Sequence, residues 1–167
     1  MSKTVLVTYA TKMGATAGIA GALGVELRAA GLDVDVREIG AVQAVTPYDA
    51  IVFGSAIYQG RWLPEAVRFL RLHQRPLRSR RVWLFQSGPL GASRRQDQPV
   101  PPDVARLVRE FQTPPVKTFA GDLQADAVVH HADLERLVGD SRDWLDVRTW
   151  ADQIATALAT PQPDPAR

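Results

Sequence analysis

The 167-residue chain contains no cysteine. Disulfides, thiolate metal sites, iron–sulfur clusters and a cysteine nucleophile are thereby excluded, and any redox chemistry has to come from a bound cofactor. Histidine is nearly as scarce. His73, His130 and His131 are the only three, and an adjacent pair cannot chelate from one face of a helix or strand, so no metal site is expected. Net charge is only +2, and three of the 20 basic residues are lysine; so small an excess does not argue for nucleic acid. No apolar run approaches the roughly 18 residues needed to span a bilayer. Met1-Ser2-Lys3-Thr4 leads straight into a strand pattern, without the small-residue cleavage site of a secretory signal. A cytoplasmic protein with no integral membrane segment is the expectation. The densest charge run, Arg71 to Arg81, reads as a helix C-terminus followed by a solvated loop, its cations offsetting the helix dipole.

What is present alternates between two periodicities. Val5 to Tyr9 is a short apolar run rich in β-branched and aromatic residues, hence a buried strand. Gly14 to Ala30 has helical spacing, with Ile19, Leu23 and Leu27 on one stripe and Gly31 as the C-terminal stop. Val34 and Val36 alternate with Asp33, Asp35 and Arg37, which predicts a strand with one polar side. Gly40 to Thr46 is too short for a full helix and predicts one turn or an open loop. Ala50 to Gly54, Val82 to Phe85 and Val116 to Ala120 predict three further strands. Helices are predicted from Pro64, from Asp103 to Gln112, over Val128 to Val138 and from Trp150 to Leu158. Strands alternating with helices mean a parallel sheet covered on both faces, in one domain over residues 1–160, with 161–167 as a disordered tail.

In such sheets ligands bind beyond the carboxyl ends of the strands. Three segments follow strands there. Thr11-Lys12-Met13-Gly14-Ala15-Thr16 combines two hydroxyls, a tight glycine turn and the free amides of a helix start, which suits a phosphate or an ordinary capped turn equally. Ser55-Ala56-Ile57-Tyr58-Gln59-Gly60 precedes Arg61 and Trp62. Tyr58 is read as a ligand contact that covers a flat heterocycle, and Trp62 as packing beneath the next helix. Ser87-Gly88-Pro89-Leu90-Gly91 lets backbone approach a ring edge. Together they suit a phosphorylated flat heteroaromatic.

The residues Thr8 to Thr16 resemble the phosphate loop of the flavodoxin-domain family, Thr/Ser-x-Thr-Gly-x-Thr. Gly54 to Trp62 is similar to the second loop of the branch that includes menaquinone-dependent protoporphyrinogen dehydrogenase. Ala120-Gly121 and Asp146 to Trp150 match that branch too. The resemblance implies a flavodoxin-like three-layer fold, with five parallel strands in the order 2-1-3-4-5. It also implies FMN as cofactor. Thr11, Lys12, Met13, Gly14, Ala15 and Thr16 would hold its phosphate; Ser55, Ala56, Ile57, Tyr58, Gly60, Ser87, Gly88, Pro89, Leu90 and Gly91 would flank its ring. Met13 stands where the family often has a polar residue, and weaker phosphate affinity is the expectation. The acidic residues and histidines between Asp122 and Asp146 replace an apolar, basic helix of the membrane-associated relatives.

The function implied is an FMN-dependent oxidoreductase acting with a small-molecule substrate such as a porphyrinogen, or with a quinone or redox partner. Arg61, Arg94 and Arg95 lie at the expected ligand edge, although Arg94 and Arg95 are first read as solvated. No side chain is assigned as general acid or base. An electron carrier of the flavodoxin type is the second reading, and a flavin-free interaction domain of the same fold the third.

Overall fold

The computed structural model describes residues 2–88, 98–123, 139–140 and 142–161. Its strands are β1 (Thr4–Ala10), β2 (Asp33–Glu38), β3 (Ala50–Tyr58), β4 (Arg61–Trp62), β5 (Arg81–Gly88), β6 (Lys117–Ala120), β7 (Asp122–Leu123) and β8 (Gly139–Asp140). The helices are α1 (Ala15–Ala29), α2 (Pro64–Leu72), α3 (Gln74–Leu77), α4 (Pro102–Phe111) and α5 (Trp144–Ala159), and a single 3-10 turn covers Ile39–Ala41. The main sheet runs β2-β1-β3-β5-β6, all parallel. This is the order, 2-1-3-4-5, that the family resemblance implies. A sixth strand was not predicted: β4 folds back antiparallel on the end of β3. β7 and β8 form a separate antiparallel pair.

The period-2 pleat of the buried strands sorts the core into two layers. Leu6, Ile51, Phe53, Val82 and Leu84 meet Ala66, Leu70, Val104 and Leu107 from α2 and α4. Their strand neighbours Val5, Val7, Val52, Trp83 and Phe85 meet Ile19, Leu23, Val147, Trp150 and Ile154 from α1 and α5. A fully buried side chain of this size contributes about 1.5–3 kcal/mol, so two packed layers hold the sheet rigid beneath its edges. Gly31 ends α1 as expected: at φ 89 it takes the left-handed turn that returns the chain to β2.

Three elements differ from the sequence reading. β3 continues four residues past Gly54 to Tyr58, because Ala56 and Ser55 still pair with β5. Arg71 to Arg81 is not a solvated loop throughout. α3 interrupts it, and Arg80 donates to the carbonyls of Tyr48 (2.9 Å), Pro76 (2.8 Å) and Thr46 (2.8 Å). Arg81 donates to the Ala157 carbonyl at 2.5 Å, at the end of α5. α5 starts six residues before Trp150, where the Asp143 carboxylate accepts from the Asp146 amide at 3.2 Å and caps the helix. The helix predicted over Val128 to Val138 lies outside the described residues.

Candidate functional site

β1, β3 and β5 end at the same edge of the sheet. Ala10 pairs with Ser55 and Ala56 with Ser87, so the three segments singled out in sequence emerge side by side. They also touch. The Lys12 ammonium lies 3.2 Å from the centroid of the Tyr58 ring, joining the first segment to the second. Thr16 Oγ1 and Ser87 Oγ share a buried hydrogen bond of 2.8 Å, joining the first to the third. A side chain added at Gly88 would sit 4.0 Å from Ile57, the measure of how near the second and third lie.

The first segment builds a backbone concavity. Gly14, at φ 90, adopts the left-handed conformation that L side chains resist, and turns the chain into α1. Thr11 Oγ1 accepts from the Gly14 amide at 2.9 Å. No side chain caps the helix, whose first internal bond runs from the Gly18 amide to the Gly14 carbonyl. The amides of Ala15, Thr16 and Ala17 therefore have no acceptor within the helix, and they lie at its positive end. Met13 and Gly14 beside that opening are exposed. Thr16 is buried, and its hydroxyl serves Ser87.

The second segment is strand as far as Tyr58, then a two-residue hairpin to β4. Gln59 (φ 50) and Gly60 (φ 72) are both left-handed, the requirement of the tight turn that matches strand twist. Gly60 thus has a local reason to be glycine. The turn holds Tyr58 out at 45% exposure, while Trp62 is 3% exposed and stacks on Phe53. Ser55 is buried: its hydroxyl donates to the Ala56 carbonyl and accepts from the Leu63 amide, tying β3 to the start of α2. Of the third segment, Ser87 and Gly88 are described, and the Gly88 carbonyl accepts from Gly121 at 2.6 Å. Pro89, Leu90 and Gly91, with Arg94 and Arg95, lie outside the described residues.

One buried group escaped the sequence reading. The Gln86 carboxamide accepts from Trp62 Nε1 (3.0 Å) and donates to Thr118 Oγ1 (3.0 Å) and the Gln98 carbonyl (3.3 Å). It knits β4, β5, β6 and the chain entering α4 directly beneath the ligand edge. A lone glutamine in an apolar strand run was the available signal, since burial of a carboxamide demands partners.

A mononucleotide is chemically compatible with this edge. Uncapped helix amides with an exposed glycine suit a phosphate, and an exposed tyrosine beside glycine-containing backbone suits a flat ring.

The flavodoxin-domain family model matches residues 6–129. The chain belongs to the flavodoxin-domain family. Solved structures with the same fold include flavodoxin 2 from Bacillus cereus, 22% identical over 94% of this chain and 99% of that one, with a TM-score of 0.61. A flavodoxin, WrbA-like protein from Agrobacterium tumefaciens is 17% identical over 95% and 98% of the two chains, with a TM-score of 0.60. The rubredoxin oxygen:oxidoreductase from Desulfovibrio gigas is 21% identical, with a TM-score of 0.60; the match covers 93% of this chain but only 36% of that protein. A search of curated proteins finds no match. Among the described residues, no helix is long and apolar enough to cross a membrane.

Proposed function

We propose that this chain is an FMN-binding oxidoreductase. The phosphate is held at the start of α1, and the isoalloxazine lies between the Tyr58 hairpin and the segment after Ser87. The observation that carries the reading is the mutual contact of the three segments at one sheet edge, through Lys12–Tyr58 and Thr16–Ser87. Membership of the flavodoxin-domain family supports the cofactor class.

In this reading the Ala15, Thr16 and Ala17 amides donate to the phosphate, and Thr11 keeps its hydroxyl proton for the same group. Tyr58 covers the ring, and the backbone at Gly88 meets its edge. Thr16, Ser55 and Ser87 act behind that surface, through the buried bonds that hold the three segments in register. FMN supplies reversible electron transfer when bound. The protein supplies binding, orientation and electrostatics.

The substrate class we propose is a carboxylated ring compound such as protoporphyrinogen, with a quinone as electron acceptor, following the likeness of Gly54 to Trp62 to that branch. Arg61, opposite Tyr58 in the hairpin, favours an anionic substrate. An electron carrier is the competing reading, supported by the near-complete coverage of flavodoxin 2 from Bacillus cereus. The cations Lys12 and Arg61 at this edge weigh against a carrier that relies on acidic residues around its flavin.

FMN titration followed by absorbance and flavin fluorescence tests the cofactor. Anaerobic incubation of the loaded protein with protoporphyrinogen and menadione tests the substrate. Formation of protoporphyrin, dependent on both protein and FMN, is the expected result. Flavin uptake without porphyrin formation would leave the carrier as the better description.

A further inference from the structure

We propose that Lys12 sets the electrostatic bias of the site toward the reduced, anionic flavin. The inference rests on the FMN reading above and deepens it. Its basis is the placement of a charge. Lys12 belongs to the segment that opens α1, and its ammonium lies 3.2 Å from the Tyr58 ring centroid. An ammonium over an aromatic face is held there by the ring quadrupole. The positive charge of the phosphate segment is therefore parked at the ring end of the site.

A second cation belongs to the same hairpin. Arg61 pairs directly across from Tyr58 in the hairpin. No aspartate or glutamate occurs within Thr11–Thr16, Ser55–Arg61 or Ser87–Gly88.

Oxidised isoalloxazine is neutral. On taking two electrons and one proton from a reductant it becomes a monoanion, because its N1 position sheds the second proton near neutrality. A fixed cation beside the ring stabilises that anion and leaves the neutral oxidised ring nearly unaffected. The protein then binds reduced FMN more tightly than oxidised FMN, and by linkage the two-electron potential of the bound cofactor rises. Such a bias favours accepting an electron pair from a substrate. It opposes low-potential one-electron delivery.

The test compares wild type with Lys12→Met and Lys12→Arg. Dissociation constants for oxidised FMN and for dithionite-reduced FMN are measured anaerobically, together with the two-electron midpoint potential. Lys12→Met is expected to weaken binding of the reduced form about tenfold more than the oxidised form. That ratio corresponds to a fall of about 30 mV in the midpoint. Lys12→Arg keeps the charge and is expected to keep the wild-type potential. Equal weakening of both forms, with an unchanged midpoint, would place the Lys12 charge on the phosphate and overturn the proposal. A wild-type protein that takes up no FMN would overturn the cofactor reading, and this proposal with it.

Discussion

Two buried threonines predict opposite outcomes for one chemical change. Thr8 lies in β1 between Leu6 and Ala10, which face the α2–α4 layer. Its hydroxyl is fully buried and has no hydrogen-bond partner among the described residues. Thr16 is equally buried, but its hydroxyl is bonded to Ser87 at 2.8 Å. Thr→Val replaces a hydroxyl by a methyl of nearly the same size. At position 8 it deletes an unsatisfied polar atom whose desolvation costs about 1–3 kcal/mol, so Thr8→Val is expected to stabilise by about 1 kcal/mol. At position 16 the same change strands the Ser87 hydroxyl in an apolar setting and is expected to destabilise by about 1–3 kcal/mol. Urea unfolding of the cofactor-free protein, followed by tryptophan fluorescence, reads both. With a slope of about 1–3 kcal/mol per molar urea, Thr8→Val moves the midpoint up by roughly 0.5 M and Thr16→Val moves it down at least as far, with slopes unchanged. A fall in the Thr8→Val midpoint, or movement of both in one direction, would refute the reasoning that hydrogen-bond partnership decides these sites.

Three further outcomes follow from the same geometry. A Cβ at Gly54 would lie 2.1 Å from the Phe85 ring, itself wedged edge-on against Phe119 and Trp150. Gly54→Ala is therefore expected to cost at least about 1–3 kcal/mol, and Phe85→Leu in the same chain should recover part of it, seen as a favourable coupling in a double-mutant cycle. Hydrogen bonding from the Thr4 amide holds the Asp49 carboxyl below the ordinary carboxylate pKa, and Lys3 and Arg80 reinforce the effect. That stabilisation is present above the unfolded-state value and is lost as pH falls through the folded one, so Asp49→Asn should flatten the loss of stability as pH falls below the ordinary carboxylate range. Trp62→Phe keeps the stack on Phe53 but leaves Gln86 Oε1 without its donor; a loss of about 1–3 kcal/mol in chemical unfolding is expected.

Period and punctuation made most of the sheet legible. The apolar runs at Val5, Ala50 and Val82, separated by helical stripes and glycine stops, dictate a doubly covered parallel sheet, and the edge where ligands collect follows from it. What sequence did not disclose depends on contacts distant along the chain. The carbonyls that hold Arg80 and Arg81 come from Thr46, Tyr48 and Ala157, and no local pattern announces them. The β4 strand is two residues long and exists because Gln59 and Gly60 both take positive φ, which a Gln-Gly pair signals less clearly than Asn-Gly. The start of α5 was missed because exposed Trp144 and Leu145 break the amphipathic stripe, although Asp143 three residues before Asp146 is a readable cap. Within the site, the grouping of three segments was legible and the division of labour was not. Thr16 was read in sequence as a hydroxyl for the phosphate, and Ser55 and Ser87 as residues flanking the ring. In the fold their oxygens bond to one another or to backbone, and the exposed side chains at the edge include Lys12, Met13, Tyr58, Gln59 and Arg61.

Binding of FMN and riboflavin to the purified protein, measured side by side by flavin fluorescence, tests the central claim most directly. A phosphate seated on the opening amides of α1 predicts saturable FMN binding, with riboflavin weaker by at least about tenfold, the worth of one charge-assisted hydrogen bond. No uptake of either flavin, or equal affinity for both, would contradict it.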